Sequence, residues 1–160
     1  MRIRIEAIEK SDYPDLSLMV GELLSEIMVA TNQKAFNYDQ SNTLQRINDF
    51  IALDKYWAFV AKETKTGKNT GFVSLCESFA LYSEGSFGTI TELYVRPEWR
   101  SNKIGHSLLL KANEFARSKK WHRIEVNTPP LPEFDKTFKF YQRNGFVVSG
   151  GRKLKIDPNT

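Results

Sequence analysis

The sequence predicts an α/β (α+β) domain whose mixed sheet is covered by helices on both faces. Two observations carry this. Short alternating or wholly apolar runs of strand length are interleaved with segments whose apolar residues recur at helical spacing. The 160 residues, 41% hydrophobic and 26% charged, also suffice for one core without disulfides or metal, so a single domain over 1–160 is expected.

Arg2 to Ile8 alternates, with Ile3, Ile5 and Ala7 on one face, and reads as a first strand. Ser11 or Asp12 caps a helix with Pro14 in its first turn, and Leu16, Met19, Val20, Leu23, Leu24, Ile27 and Met28 follow at helical spacing. After the polar, aromatic-bearing loop TNQKAFNYDQ, Ser41 opens a shorter helix through Leu44, Ile47, Phe50 and Ile51. The run YWAFVA, Tyr56 to Ala61, is a buried strand, and Gly71 to Ser78 is the next. ALYSEGSFG is a hairpin tip, with Gly85 and Gly88 supplying turn conformations.

Thr89 to Val95 follows as a strand. Simple alternation places Thr91, Leu93 and Val95 on one face, and Ile90, Glu92 and Tyr94 on the other. A helix carries Ile104, Leu108, Ala112, Phe115 and Ala116 inward; then come the strand Arg123 to Thr128 and the bend PPLPEF. A helix from Asp135 to Arg143 stops at Asn144-Gly145, and FVVSG and RKLKI close the chain as two strands. The predicted order is β-α-α-β-β-β-α-β-α-β-β.

The net charge of +4 mildly favours an anionic partner. A lone cysteine, Cys76, excludes an internal disulfide, and with two histidines it makes a poor metal set. No apolar run approaches the roughly 20 residues that span a bilayer. MRIRIEAIEK lacks the apolar core of a signal peptide, so a cytoplasmic setting without membrane is expected.

The informative stretch is YVRPEWRSNKIGHSLL. A helix N-terminus presents unpaired N–H groups and partial positive charge, and Arg100, Ser101, Asn102 and Lys103 add donors just before it. Gly105, lacking a Cβ, lets backbone come close to a ligand. A diphosphate suits such a nest; a solvated loop with an ordinary cap is the plainer alternative.

Three stretches in fixed order, ITELYVRPEWRSNKIGHSLL, RIEVNT and KFYQRNGF, resemble the GNAT superfamily of N-acetyltransferases over Ile90 to Phe146. The resemblance implies a mostly antiparallel twisted sheet of about seven strands with about four helices, and acetyl-CoA as co-substrate with no metal. Arg100, Ile104 and Gly105 match the family's loop, whose amides hold the CoA pyrophosphate, while Lys103 stands where the first glycine is usual. Ser101, Asn102, His106 and Ser107 complete that implied contact set. Leu93, Tyr94 and Val95 end the strand that pairs with the pantetheine arm, and Asn127 follows the next strand as a further implied contact.

Acetyl transfer to an amine needs a neutral amine, a stabilised oxyanion and a proton for the departing thiolate. Glu92 is the candidate base, its carboxylate turned away from Leu93 and Val95; an arginine-paired structural carboxylate is its alternative. Tyr141 is the candidate acid, since Phe140-Tyr141 matches the family's aromatic pair beside the CoA sulfur; core packing is its alternative. Backbone near Leu93 would hold the oxyanion. Cys76 reads as core, and His106 and His122 have no nucleophile constellation around them. RSKKWHR reads as a solvated helix end rather than an RNA platform.

The resulting expectation is an N-acetyltransferase acting on a primary amine of a small molecule or protein, with nucleic acid disfavoured and a homodimer expected from family habit. A catalytically silent acyl-CoA-binding module and an RNA-directed, aminoacyl-tRNA acetyltransferase are the alternatives.

Overall fold

The run Tyr56–Ala61 is apolar at both parities, so it needs cover on both faces, and it receives it as an interior strand of the sheet. The computed structural model describes residues 2–160. One five-stranded sheet runs in the order β1 (Ile3–Ala7), β2 (Tyr56–Glu63), β3 (Asn69–Ala80), β4 (Gly85–Val95), β5 (Ile124–Val126). Successive strands pair antiparallel up to β4, and β5 joins β4 in parallel. The helices are α1 (Tyr13–Thr31), α2 (Gln40–Ala52), α3 (Ile104–Ser118) and α4 (Asp135–Arg143). α3 makes the crossover that a parallel pair requires.

Each sheet face has its own core. Phe59, Ala61, Val73, Leu75 and Ile90 pack with Ile104, Leu108, Leu109 and Ala112 of α3 and with Tyr141 of α4. Ala58, Val60, Phe72 and Tyr94 pack on the other face with Leu16 and Met19 of α1 and Ile47 of α2. Ionic ties hold α1 to the sheet: Arg96, just past β4, reaches Asp15 at 2.9 Å and Glu22 at 3.0 Å. Lys62 of β2 pairs with the buried Asp12. The shorter helix is capped by Asp39, whose carboxylate accepts from the Asn42 N–H at 2.8 Å, rather than opening at Ser41.

Two expectations need correction. The alternation of β4 breaks at a β-bulge: Ser74 faces Glu92 but Leu75 faces Ile90, so Thr91 is the extra residue. Ile90 therefore shares the α3 face with Leu93 and Val95, not the face of Glu92. The sheet also has five strands, not seven. FVVSG and RKLKI form no ladder, and residues 147–160 are exposed throughout. Alternation gives a segment a strand-like face, but a strand forms only where an edge pairs with it.

Candidate active site

β4 and β5 pair over only three residues, Gly88 to Ile90 against Ile124 to Val126. Beyond Ile90, β4 runs on to Val95 paired on one side alone, with β3. Its outer edge is thus an open row of backbone donors and acceptors facing a gap between the strands. The bulge at Thr91 lies where the gap opens. Asn127, exposed, stands at the end of β5 across that gap.

The turn from β4 to α3 lies at the end of this edge. Ser101 (φ 69°) and Lys103 (φ 60°) take left-handed backbone, which folds the turn into a concave run of amides. Among the described residues no backbone N–H from Ser101 to His106 meets an acceptor; the ladder begins with Ser107 N–H donating to the Lys103 carbonyl at 3.0 Å. Six successive N–H groups at the positive end of a helix fit a diphosphate. The Ser107 N–H is already engaged.

The side chains of this turn do other things. Arg100 forks onto Glu26 of α1 at 2.7 and 2.8 Å, and its Nε donates to the Val95 carbonyl at 2.8 Å. Its charge is therefore paired within the protein, and it braces the turn. Asn102 Nδ2 donates to the carbonyls of Trp99 and Arg100, shaping the same bend. His106 Nδ1 lies 2.6 Å from Asn144 Oδ1 and ties the start of α3 to the end of α4. Tyr94 is buried on the α1 side, its hydroxyl donating to Glu22 at 3.2 Å, so only its backbone is at the open edge. Burial, then the charge of Glu22, pushes that phenol up to about 12.

Lys103 is exposed, with no ion pair among the described residues. Its left-handed φ explains why glycine is usual there: an L side chain pays about 1–2 kcal/mol in that region. Lys103→Gly should relieve this cost, less about 0.5–1 kcal/mol of glycine chain entropy. Thermal unfolding is expected to show equal or slightly higher stability. Calorimetric titration should show CoA binding weakened by about 1 kcal/mol if the ammonium meets phosphate. Tighter binding would mean the glycine geometry matters more than the charge.

The missing Cβ of Gly105 makes room for packing. A Cβ there would sit 3.0 Å from Cζ and 3.3 Å from Cε1 of Phe140. The glycine lets α4 lie close on α3, next to Tyr141. Gly105→Ala gains about 0.8–1 kcal/mol of helix propensity against an overpacking cost of about 1–3 kcal/mol. The expected net is a modest drop in melting temperature with slower turnover, because the ring beside Tyr141 must move. Unchanged stability and rate would show that the contact relaxes freely.

Glu92 stands on the α1–α2 face in a hydroxyl cluster that sequence reading did not anticipate. Its Oε1 accepts from Tyr56 Oη at 2.5 Å, Ser74 Oγ at 2.5 Å and Thr91 Oγ1 at 2.9 Å. Oε2 has no partner, and Glu92 no ion pair, among the described residues, so the arginine-paired alternative finds no support. Burial first, then the Glu92 charge, pushes the Tyr56 phenol up, so it donates at any working pH. Counting pairs back from Ala80↔Gly85 would set Ser74 opposite Thr91; only the bulge brings it to Glu92.

Tyr141 is buried on the α3 face, with ring centroids of Phe140 and Phe146 at 5.4 and 5.3 Å. Its hydroxyl makes no hydrogen bond among the described residues, yet no fully buried polar side-chain atom is unpaired, so it opens to the surface. Burial pushes the phenol up, keeping it protonated. Tyr141 and Glu92 thus belong to opposite faces of the sheet.

The remaining candidates stay apart. Cys76 is half-buried in β3, and Trp121 of the basic run is buried, which removes it as a stacking platform. No group of three or more His, Cys, Asp or Glu among the described residues is placed to hold a metal. No described helix is long and apolar enough to cross a membrane.

Comparison with known proteins bears on this geometry. An acetyltransferase (GNAT) domain profile matches residues 54–148. Aminoalkylphosphonate N-acetyltransferase of Salmonella typhimurium is 35% identical over 91 residues, spanning 57% of this chain and 58% of that protein. An aminoglycoside N-acetyltransferase in complex with CoA superimposes with a TM-score of 0.80 at 14% identity, covering 98% of this chain and 95% of the other. Glucosamine-6-phosphate N-acetyltransferase from Arabidopsis thaliana gives 0.74 at 15% identity, covering 98% and 99%. At these low identities the two solved structures speak for the fold. With more than half its length matched by the family profile, β4, the amide turn and α4 included, the chain belongs to the GNAT acetyltransferase family.

Proposed function

We propose that this protein transfers the acetyl group of acetyl-CoA directly to the primary amine of a small molecule, in a cytoplasmic setting. The observation that carries the reading is the parting of β4 from β5 after Ile90, with six free N–H groups at one end of the gap. The diphosphate would sit on the amides of Ser101 to His106, and the amide-bearing arm along the outer edge of β4. Glu92 Oε2, free to accept, would take the proton of the attacking amine. The amine nitrogen bonds to the thioester carbonyl carbon, backbone N–H near Leu93 holds the oxyanion, and the C–S bond then breaks. Tyr141 would give its proton to the departing thiolate, which leaves as CoA thiol.

Small amines are favoured because the relative of known activity acts on aminoalkylphosphonates. A silent acyl-CoA-binding module has less support, since a free carboxylate oxygen and an unpartnered phenol are not needed for holding a ligand. Thiol release from acetyl-CoA, measured against a panel of aminoalkylphosphonates, polyamines, aminoglycosides and amino acids, tests the reading. Turnover with at least one amine is expected; thermal stabilisation by CoA without turnover on any amine would leave the binding module.

A further inference from the structure

β5 turns two opposite charges toward the side of the sheet on which Glu92 stands. Thr89 pairs with Cys76 of β3 and with Glu125 of β5, so those three side chains share a face. Ser74, two residues from Cys76, faces Glu92, which puts Glu92 on that face as well. Ile124 and Val126 pack on the opposite face, against the α3 core. Arg123 precedes β5, and its Nη1 donates to Glu125 Oε2 at 3.1 Å, so its guanidinium also lies on the Glu92 side. There it stands over the ring of Tyr82, 5.8 Å from the centroid. The side chains of Arg123 and Glu125 are 43% and 39% exposed, and an ion pair so open to water holds neither partner firmly. A guanidinium has five N–H donors, and Glu125 is the one acceptor this one meets among the described residues. Between Glu92 and the hairpin, β3 and β4 put only uncharged side chains on this face, Cys76, Ser78 and Thr89 among them.

The register sets a length. Glu92 and Glu125 differ by two residues along the ladder and one strand across it, so their Cα atoms are roughly 8 Å apart. The guanidinium beside Glu125 then lies on the order of 10 Å from the Glu92 carboxylate. A hydrogen bond at each end takes up about 3 Å. What is left is roughly 4–5 Å, the span from a nitrogen to an acid oxygen across two or three carbons. We infer that Arg123 is the specificity-determining residue of the acceptor side, holding the anionic end of a short aminoalkyl acid whose amine lies at Glu92. This rests on the acetyl-transfer reading for the role of Glu92. The acid group of the acceptor takes the place of Glu125 in the guanidinium fork, whose paired donors suit two oxygens of one acid. The carbon chain crosses Thr89 and Cys76, neither of which brings a charge. A second amine in place of the acid would face Arg123, and a plain alkylamine would leave the fork unused.

The test compares 2-aminoethylphosphonate, 2-aminoethylsulfonate, propylamine and 1,3-diaminopropane as acceptors for the full-length protein at saturating acetyl-CoA. The two acids should show KM about tenfold or more below that of propylamine. That comparison needs no variant. Arg123→Gln should raise KM for both acids about ten- to a hundredfold, with kcat held and propylamine unaffected, and Arg123→Lys should recover part of the loss. Glu125→Gln removes the competing carboxylate and should lower KM for the acids, a sign that a merely structural ion pair would not give. Equal KM for the acids and propylamine in the unaltered protein would overturn the anchor while leaving acetyl transfer intact. So would an Arg123→Gln effect shared by propylamine. A preference for 1,3-diaminopropane that Glu125→Gln abolishes would overturn it in favour of Glu125. Calorimetric titration of the CoA-loaded protein with 2-aminoethylphosphonate separates the two readings. Binding that Arg123→Gln abolishes, without turnover of any amine, would support the anchor and sink acetyl transfer; no binding at all would overturn the anchor.

Discussion

Glu92→Gln is expected to lower kcat about a hundredfold at pH 7, the usual range for loss of a general base. The amide keeps the size of the side chain, and its oxygen can still accept from Tyr56, Ser74 and Thr91. What changes is the other terminus, where an NH2 replaces the oxygen that would take the proton. Affinity for CoA should hold, because the amide turn lies at the far end of β4. The sign of the pH dependence follows from the acceptor. A primary amine of pKa about 10 gains tenfold in neutral fraction for each unit of pH below that value. The gap between variant and parent should therefore narrow as pH rises. Steady-state rates at pH 7 and 9 check this, and equal rates at pH 7 would mean that water or another group accepts the proton.

Tyr141→Phe should separate stability from rate. The hydroxyl has no hydrogen-bond partner among the described residues, so its removal forfeits none of their bonds and leaves a more apolar ring among Phe140 and Phe146. Equal or higher melting temperature is expected, with kcat down about ten- to a thousandfold and acetyl-CoA still bound. Burial that pushes the phenol up would raise a thiolate in the same place, from about 8.5, in the same direction. The proton transfer keeps much of its balance. A variant at the parent rate would reduce Tyr141 to packing; one that unfolds would give the hydroxyl a structural role.

What the sequence disclosed depended on whether the signal was local. The helical stripes, the buried strand at Tyr56 and the helix stop at Gly145 (φ 91°) are set by spacing and backbone preference, and they stand where the residues placed them. Parity along β4 gave Glu92 the face opposite Leu93 correctly, because the bulge lies before both. It misplaced Ile90 for the same reason. No glycine or proline marks Thr91 as the extra residue, and the bulge becomes visible only once β3 is laid beside β4. Tyr56 and Ser74 escaped notice because their role comes from register across three strands. The charge of Arg100 is legible in the sequence, yet Glu26 lies 74 positions away and takes up that charge. The sequence shows that Gly105 makes room, but not that the ring it admits belongs to α4. The last two strands failed differently: their pattern is present, but no edge of the sheet pairs with them.

The bulge at Thr91 makes β4 behave like a text with a shifted reading frame. On the hairpin side of it, even-numbered Ile90 is read toward α3; past it, odd-numbered Leu93 and Val95 are. One residue thus decides which face each later side chain addresses. Were Thr91 to take a regular place in the ladder, strict alternation from Ile90 would turn the carboxylate of residue 92 into the α3 core and Leu93 to the hydroxyl cluster. Substitutions at Thr91 test a hydrogen bond, whereas a deletion there would straighten the strand with Ile90, Leu93 and Val95 still on one face and Glu92 on the other. A further residue added past Thr91, with no second bulge to absorb it, would turn every later side chain to the other face.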